Sequence, residues 1–383
     1  MDWVLQKLIE CGYDAYAVGG CVRDMLMGNV PHDFDITTDA TPEQIIECFS
    51  DCPLILAGKK HGTIAVNMYG ELIEVTTYRI DGNYGDMRHP DSVTFTSRVE
   101  DDLARRDFTI NAIAMSKTGD IKDPFCGMRD IEKRIIRCVG DAKTRFGEDA
   151  LRIMRAMRFA STLGFKIEKN TSDAVHSERM LLCNISPERI CSELFKLITG
   201  ENAAWVCTEY RDVLSVFLDC ADKKILSAMG DLPCDTVLRT AALIFSSSKP
   251  RECLDFLRVS NALRDEVLLY LTEYEKLYDI SMPDLRLMTG RCGEEKMRKM
   301  IVFFDFISGK DTEHLSAALD EIKKKNLPCS LRDLAVNGDD IKGMGFSGCE
   351  VGKCLLYLLQ EVVHGRIPNT YEALCESAKS KRR

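Results

Sequence analysis

The sequence predicts an α+β head, a mixed sheet with helices, followed by an all-α remainder, and three observations carry that prediction. Short alternating or β-branched runs are confined to roughly the first 120 residues. Beyond about residue 130 the apolar positions recur at helical spacing. At 383 residues and 45% hydrophobic composition, the chain can bury cores for roughly two to four compact units.

Residues 1–14, MDWVLQKLIECGYD, read as an amphipathic helix carrying acids, unlike a secretory leader. Residues 15–18 form a short apolar strand that ends at Gly19-Gly20, and 22–27 form a helix closed by Gly28. This strand, turn and helix lets the backbone come close to an anion, and Arg23 adds a forked donor. The turn lacks both the G-x-x-x-x-G-K of a P-loop and the third glycine of a dinucleotide fingerprint. A strand is predicted over 34–37, and Thr41-Pro42-Glu43 opens a helix with Thr41 as cap and Pro42 at its first position. Strands at 63–68 and 72–78 flank a hairpin turn at 67–70. Breaks in the helical remainder fall near Gly200, at Leu232-Pro233, over 246–250 and 326–328, and more weakly at Pro283.

Composition narrows the function classes. A net charge of −9 and a pI near 5.4 argue against a general nucleic-acid coat, so any polyanion contact is confined to local basic patches. Lys379, Lys381, Arg382 and Arg383 make one such patch or a solvated tail. Seventeen cysteines are an odd number and no C-x-x-C occurs, which disfavours a zinc ribbon. Cys191, Cys207 and Cys354 read as small core residues in a reducing compartment. The six histidines offer no i, i+4 pair, and the dipeptide His32-Asp33 lacks the further histidines of a metal phosphohydrolase. No apolar run has membrane-spanning length, and a cytoplasmic protein is expected.

The chemistry concentrates in three places. If Asp33-Phe34-Asp35 lies on a strand, its two carboxylates project the same way, roughly 6–7 Å apart at their backbones. Such a pair can share divalent ions about 3.5–4 Å apart, as in-line phosphoryl or nucleotidyl displacement uses them. Hard oxygen ligands favour Mg²⁺. Glu74 is the best third carboxylate and Glu71 its rival on the opposite face. Second, Arg105-Arg106-Asp107 is expected to open a helix, its carboxylate holding one guanidinium while another faces a triphosphate. Third, Asp149, Arg152, Arg155 and Arg158 recur every third residue on one broad helical face. An acceptor beside a forked donor matches the amino group and ring nitrogen of cytosine or adenine, and opposes the reverse order in guanine and uracil.

Taken in order, GGCVRD, PHDFDITTDATPEQ, EVTTYR, DDLARRDFTINAIA, DPFCGMRDIEKRIIR, FGEDALRIMRAMRFA and SPERICSEL resemble the motif set of the class II tRNA nucleotidyltransferase and bacterial poly(A) polymerase family. The resemblance spans about residues 14–200, and the tail from Asn337 onward is similar to that of compact bacterial CCA enzymes. It implies a polymerase-beta-like nucleotidyltransferase head, with Asp33 and Asp35 holding Mg²⁺. It assigns nucleotide contacts to Gly20, Arg23, Arg106, Asp149, Arg152, Arg155 and Arg158. It further implies a catalytic head over 1–130, a nucleotide-selecting neck over 131–200, a helical body over 201–290 and a tRNA-binding tail over 291–383. Residues 79–90 resemble the loop that CCA-adding and A-adding enzymes keep and CC-adding enzymes lack. The expectation is therefore addition of C, C and A to a tRNA 3′ end from CTP and ATP, with pyrophosphate released. An A-adding or poly(A)-adding enzyme is the near alternative; a non-catalytic tRNA-binding protein is the distant one.

Overall fold

The head is built on one mixed sheet of seven strands in the order β3-β4-β5-β2-β1-β8-β9. Its members are β1 (Ala15–Val18), β2 (Asp35–Thr38), β3 (Leu54–Ile55), β4 (Thr63–Met68), β5 (Glu71–Thr77), β8 (Ala114–Met115) and β9 (Ile121–Lys122). Only β2 and β5 run parallel; every other neighbouring pair is antiparallel. Two further strands, β6 (Arg79–Asp81) and β7 (Val93–Phe95), pair with each other beside it. The computed structural model describes the whole chain except His32, Tyr69, Asn83, residues 86–89 and Arg383, and the side chains of Met68 and Arg382. The His32-Asp33 dipeptide, the 79–90 loop and the terminal basic patch therefore lie partly outside the described residues.

Strand alternation sorts the two faces of this sheet. Ile64 and Val66 of β4, Ile73 and Val75 of β5, and Ile36 of β2 bury themselves against Leu5 and Leu8 of α1 (Asp2–Glu10) and Ile45 of α3 (Pro42–Cys48). The intervening positions, Asp35, Leu72 and Glu74 among them, face away from that core and stay accessible. α3 starts as its sequence requires: Thr41 and Gln44 form a reciprocal capping box and Pro42 takes the first turn, a device that contributes about 1 kcal/mol. Gly70, at φ +84°, turns β4 into β5. The packing of α1 on α3 also brings Cys11 and Cys48 to a Cα–Cα distance of 6.4 Å, where they form a disulfide. Cys191, Cys207 and Cys354, read from the sequence as small core residues, are buried.

Three expected elements shift. The second strand begins at Asp35, leaving Asp33 in a bend before it. Arg105-Arg106-Asp107 follows a helix instead of opening one: α4 (Val99–Ala104) takes Glu100, Asp101 and Asp102 in its first turn, where acids complement the helix dipole, and ends at Arg105. Asp149 lies between α6 (Ala142–Glu148) and α7 (Leu151–Leu163), because its carboxylate accepts the Leu151 N–H at 3.0 Å and holds the chain out of the helix. The remaining helices of this region are α2 (Gly20–Leu26), α5 (Gly127–Glu132), α8 (Lys169–Ser177) and α9 (Pro187–Ile198). Two more strands, β10 (Ile135–Ile136) and β11 (Lys166–Ile167), pair in parallel beyond residue 130.

Packing divides the chain into two compact units, Met1–Gly230 with Ser246–Arg258, and Asp231–Phe245 with Val259–Arg383. In the second unit the described regular elements are all helices. It encloses Phe245, Tyr270, Tyr274 and Phe303, and farther along Ile341, Leu358, Val362 and Leu374. No described helix is long and apolar enough to cross a membrane.

Candidate functional site

The site gathers where β1, β2 and β5 lie side by side. Val18 pairs with Asp35, and Asp35 pairs in turn with Glu74, so both acids stand in one row on the open face. Glu71, the rival, lies at the far end of β5, paired with Met68. Asp35 is reached by solvent yet closely ringed by protein. Loss of hydration raises its pKa, Arg106 pulls it back and Asp33 pushes it up again. Glu74 is raised by loss of hydration and then by the charge of Asp35. Neither carboxylate closes an ion pair among the described residues. Among those residues no three His, Cys, Asp or Glu side chains converge tightly enough to cage an ion alone. Adjacent carboxylate oxygens match a cation that completes its shell with water and phosphate, as Mg²⁺ does.

The glycine turn presses against this pair. Gly19 has φ +85°, and a Cβ there would sit 3.0 Å from Arg106 Nη1 and 3.6 Å from Asp35 Oδ2. Only glycine allows both the conformation and the approach. At Gly20 a Cβ would lie 3.6 Å from Arg23 Nη2. Arg23 is buried, donates to Asp24 at 2.7 and 2.9 Å and to Asn111 Oδ1 at 2.9 Å, and lies over the Phe159 ring.

The arginines are held by acids other than those the spacing suggested. Asp102, fully buried on α4, accepts from Arg105 Nε at 2.9 Å and contacts Arg106 Nη2 at 3.4 Å. Burial alone would raise the Asp102 carboxyl, and Arg105 and Arg106 together hold it below its usual range. Arg106 keeps its buried Nε without a partner among the described residues, a donor that an anion can satisfy. Asp107, expected to steady Arg105 or Arg106, instead receives Arg155 Nε at 2.7 Å and Nη2 at 2.5 Å. Burial pushes the Asp107 carboxyl up, but Arg155, Arg152 and Asn111 bring it down to about 2. Arg158 meets Glu193 of α9 at 2.6 Å as a charge contact outside the hydrogen-bonding direction, and stacks 3.9 Å from the Phe159 centroid. Arg155 and Arg158 are thus each paired with an acid of the protein.

The side chains of Asp149 and Arg152 are brought together without bonding to each other, while the Arg152 N–H donates to the Asp149 carbonyl at 3.0 Å. Asp149 Oδ2 accepts from Arg189 Nη2 at 3.0 Å. Arg152 donates to Glu148 at 2.5 Å and to the carbonyls of Arg145 and Arg105 at 3.1 Å. Both side chains line one cavity of about 330 Å³, which Thr63, Arg79, Asp81, Tyr84 and Arg105 also wall. Asp81 ties that wall together, accepting from Tyr84 Oη at 2.7 Å and Arg79 Nε at 3.0 Å. Asp102, Arg189, Glu193 and Asp81 carry the geometry yet were absent from the sequence-derived site. Asp102 had a readable signal, lying three and four residues before the arginine pair it holds.

Comparison with known proteins agrees across the chain. The family described as "Poly A polymerase head domain" matches residues 15–137, and that described as "tRNA nucleotidyltransferase domain 2" matches residues 237–378. The CCA-adding enzyme of Lactobacillus delbrueckii subsp. bulgaricus is 36% identical over 97% of this chain and 95% of its own length. That of Geobacillus stearothermophilus is 51% identical over 52% of this chain and 49% of its own. A crystal structure of the Bacillus stearothermophilus CCA-adding enzyme in complex with CTP superposes with a TM-score of 0.85 and 33% identity, covering 100% of this chain and 96% of that one.

Proposed function

This chain belongs to the CCA-adding enzyme family of nucleotidyltransferases, and from that premise we propose that it adds C, C and A in turn to the 3′ end of tRNA from CTP and ATP, releasing pyrophosphate without a nucleic-acid template. The observation that carries the reading is the cavity in which Asp149 and Arg152 stand together beside Arg105. A guanidinium has five N–H donors, and Arg152 spends three on Glu148, Arg145 and Arg105. The remainder can meet the ring nitrogen of cytosine or adenine, while Asp149 accepts from the amino group. Guanine and uracil present a carbonyl to the carboxylate and are refused.

Gly20, Arg23 and Arg106 hold the triphosphate, Arg106 reaching the same glycine turn as Asp35 and keeping its Nε without a partner among the described residues. Asp33 and Asp35 are the residues that would hold Mg²⁺, with Glu74 beside them. When bound there, Mg²⁺ supplies Lewis acidity to the tRNA 3′-hydroxyl and to the phosphate oxygens. Asp102 fixes both arginines, so the charge that meets the phosphates is oriented before substrate arrives.

The test is product length on tRNA lacking its terminal CCA, incubated with CTP, with ATP and with both. Two added residues with CTP and three with the mixture are expected. Uptake of A alone supports the A-adding alternative, and RNA binding without pyrophosphate release removes the enzymatic reading.

A further inference from the structure

Beside the carboxylates the sheet keeps an uncovered apolar stretch. The registers Asp35↔Glu74, Glu74↔Ala65 and Ala65↔Ile55 place four residues in one row across β2, β5, β4 and β3, and Leu72↔Asn67 forms part of the next row. Their alternating neighbours Val66, Ile73 and Val75 are wholly buried, whereas Ile55 and Leu72 remain 48% and 53% exposed. Asn67 is exposed between them. Leucine and isoleucine held open to water at the rim of a charged site suit a ligand with apolar faces.

The two flanks of the aspartates differ in chemistry. Gly19 and Arg106 lie on the β1 side of Asp35, and Glu74, Leu72, Asn67 and Ile55 lie on the β5 side. Displacement at phosphorus requires the attacking and leaving oxygens roughly in line on opposite sides. With the pyrophosphate on the arginine side, the attacking hydroxyl enters from the β5 side, and the nucleosides behind it extend over β4 and β3. An uncharged, apolar floor there receives sugar and base faces without demanding one sequence.

We propose that Leu72, Asn67 and Ile55 seat the 3′-terminal nucleosides of the RNA being extended, Leu72 and Ile55 as an apolar floor and Asn67 as a hydrogen-bonding group for a sugar or base edge. The inference rests on the nucleotidyltransferase reading of the neighbouring site.

Its test does not require turnover. An acceptor-stem RNA hairpin carrying 4-thiouridine as its 3′ nucleotide is irradiated with the full chain, and the adduct is mapped by mass spectrometry. Attachment within residues 53–72 is expected, and attachment confined to other segments overturns the proposal. In parallel, the double variant Ile55→Ser/Leu72→Ser should raise the KM for the hairpin about tenfold while the KM for CTP stays within about twofold. An unchanged KM for RNA, or an equal loss for both substrates, overturns it. If the unaltered protein incorporates neither C nor A, the broader reading falls, and the photo-adduct still decides where an RNA end sits.

Discussion

The two flanks of the site treat the same charge in opposite ways. Asp35 and Glu74 face one another across β2 and β5 without a closed ion pair among the described residues, and their carboxyl pKa values are raised. Asp102 and Asp107, only a few residues along the chain from each other, are buried more deeply, yet guanidiniums hold theirs below the usual range. Burial sets the cost of a charge in both cases, and the partner decides its sign. One flank therefore keeps carboxylates without a paired counter-charge among the described residues, while the other is complete and serves as a rigid frame.

The widest separation between the flanks should appear on neutralising an acid in each. Asp35→Asn is expected to cut nucleotide incorporation by about a thousandfold or more while leaving the thermal midpoint unchanged or higher, since an uncompensated charge has been removed. A clear drop in midpoint would break the contrast. Asp107→Asn should do the reverse to the fold, costing about 3 kcal/mol in urea denaturation because Arg155 is left beside a neutral amide. A smaller effect follows from acid. Because the Asp107 carboxyl titrates lower in the folded chain, near 2, than in the unfolded one, its stabilisation is present above about pH 4 and fades as pH falls toward 2. That amounts to on the order of 2 kcal/mol, and urea midpoints measured through this window should slope less in Asp107→Asn than in the unaltered chain. The least effect is expected at Arg189. Arg189→Ala should relax discrimination against GTP and UTP by about tenfold, or roughly 1.4 kcal/mol, because Asp149 loses its anchor, with the KM for the correct nucleotide nearly unchanged.

Much of this was legible in the residues and some could not be. The strands at Ala15–Val18 and Thr63–Met68 and the capped helix at Pro42 stand in the sequence because each is long enough to show alternation or carries its own start signal. Two-residue strands such as Leu54–Ile55 and Ile135–Ile136 are too short to leave a period and were invisible. In the site, residue types were legible and pairings were not. Asp107 looks like the natural holder of Arg106 along the chain, but α7 approaches from a distant segment and delivers Arg155 to it instead. Asp149 and Arg152 look like a bonded pair three residues apart, yet Asp149 stays outside the helix and each takes another partner. Local spacing does not reveal which groups meet one another when the partner arrives from a distant segment.

The return of Ser246–Arg258 to the first unit bears on how the protein can be dissected. Phe217 stacks on Phe256, Asp219 accepts the Ser248 N–H, and Glu188 pairs with Arg258. A fragment cut at residue 230, where the first stretch of this unit ends, would lose all three contacts and expose an aromatic face. A recombinant version meant to isolate the nucleotide-handling half has to run through residue 258, with 231–245 either carried along or replaced by a short designed connection.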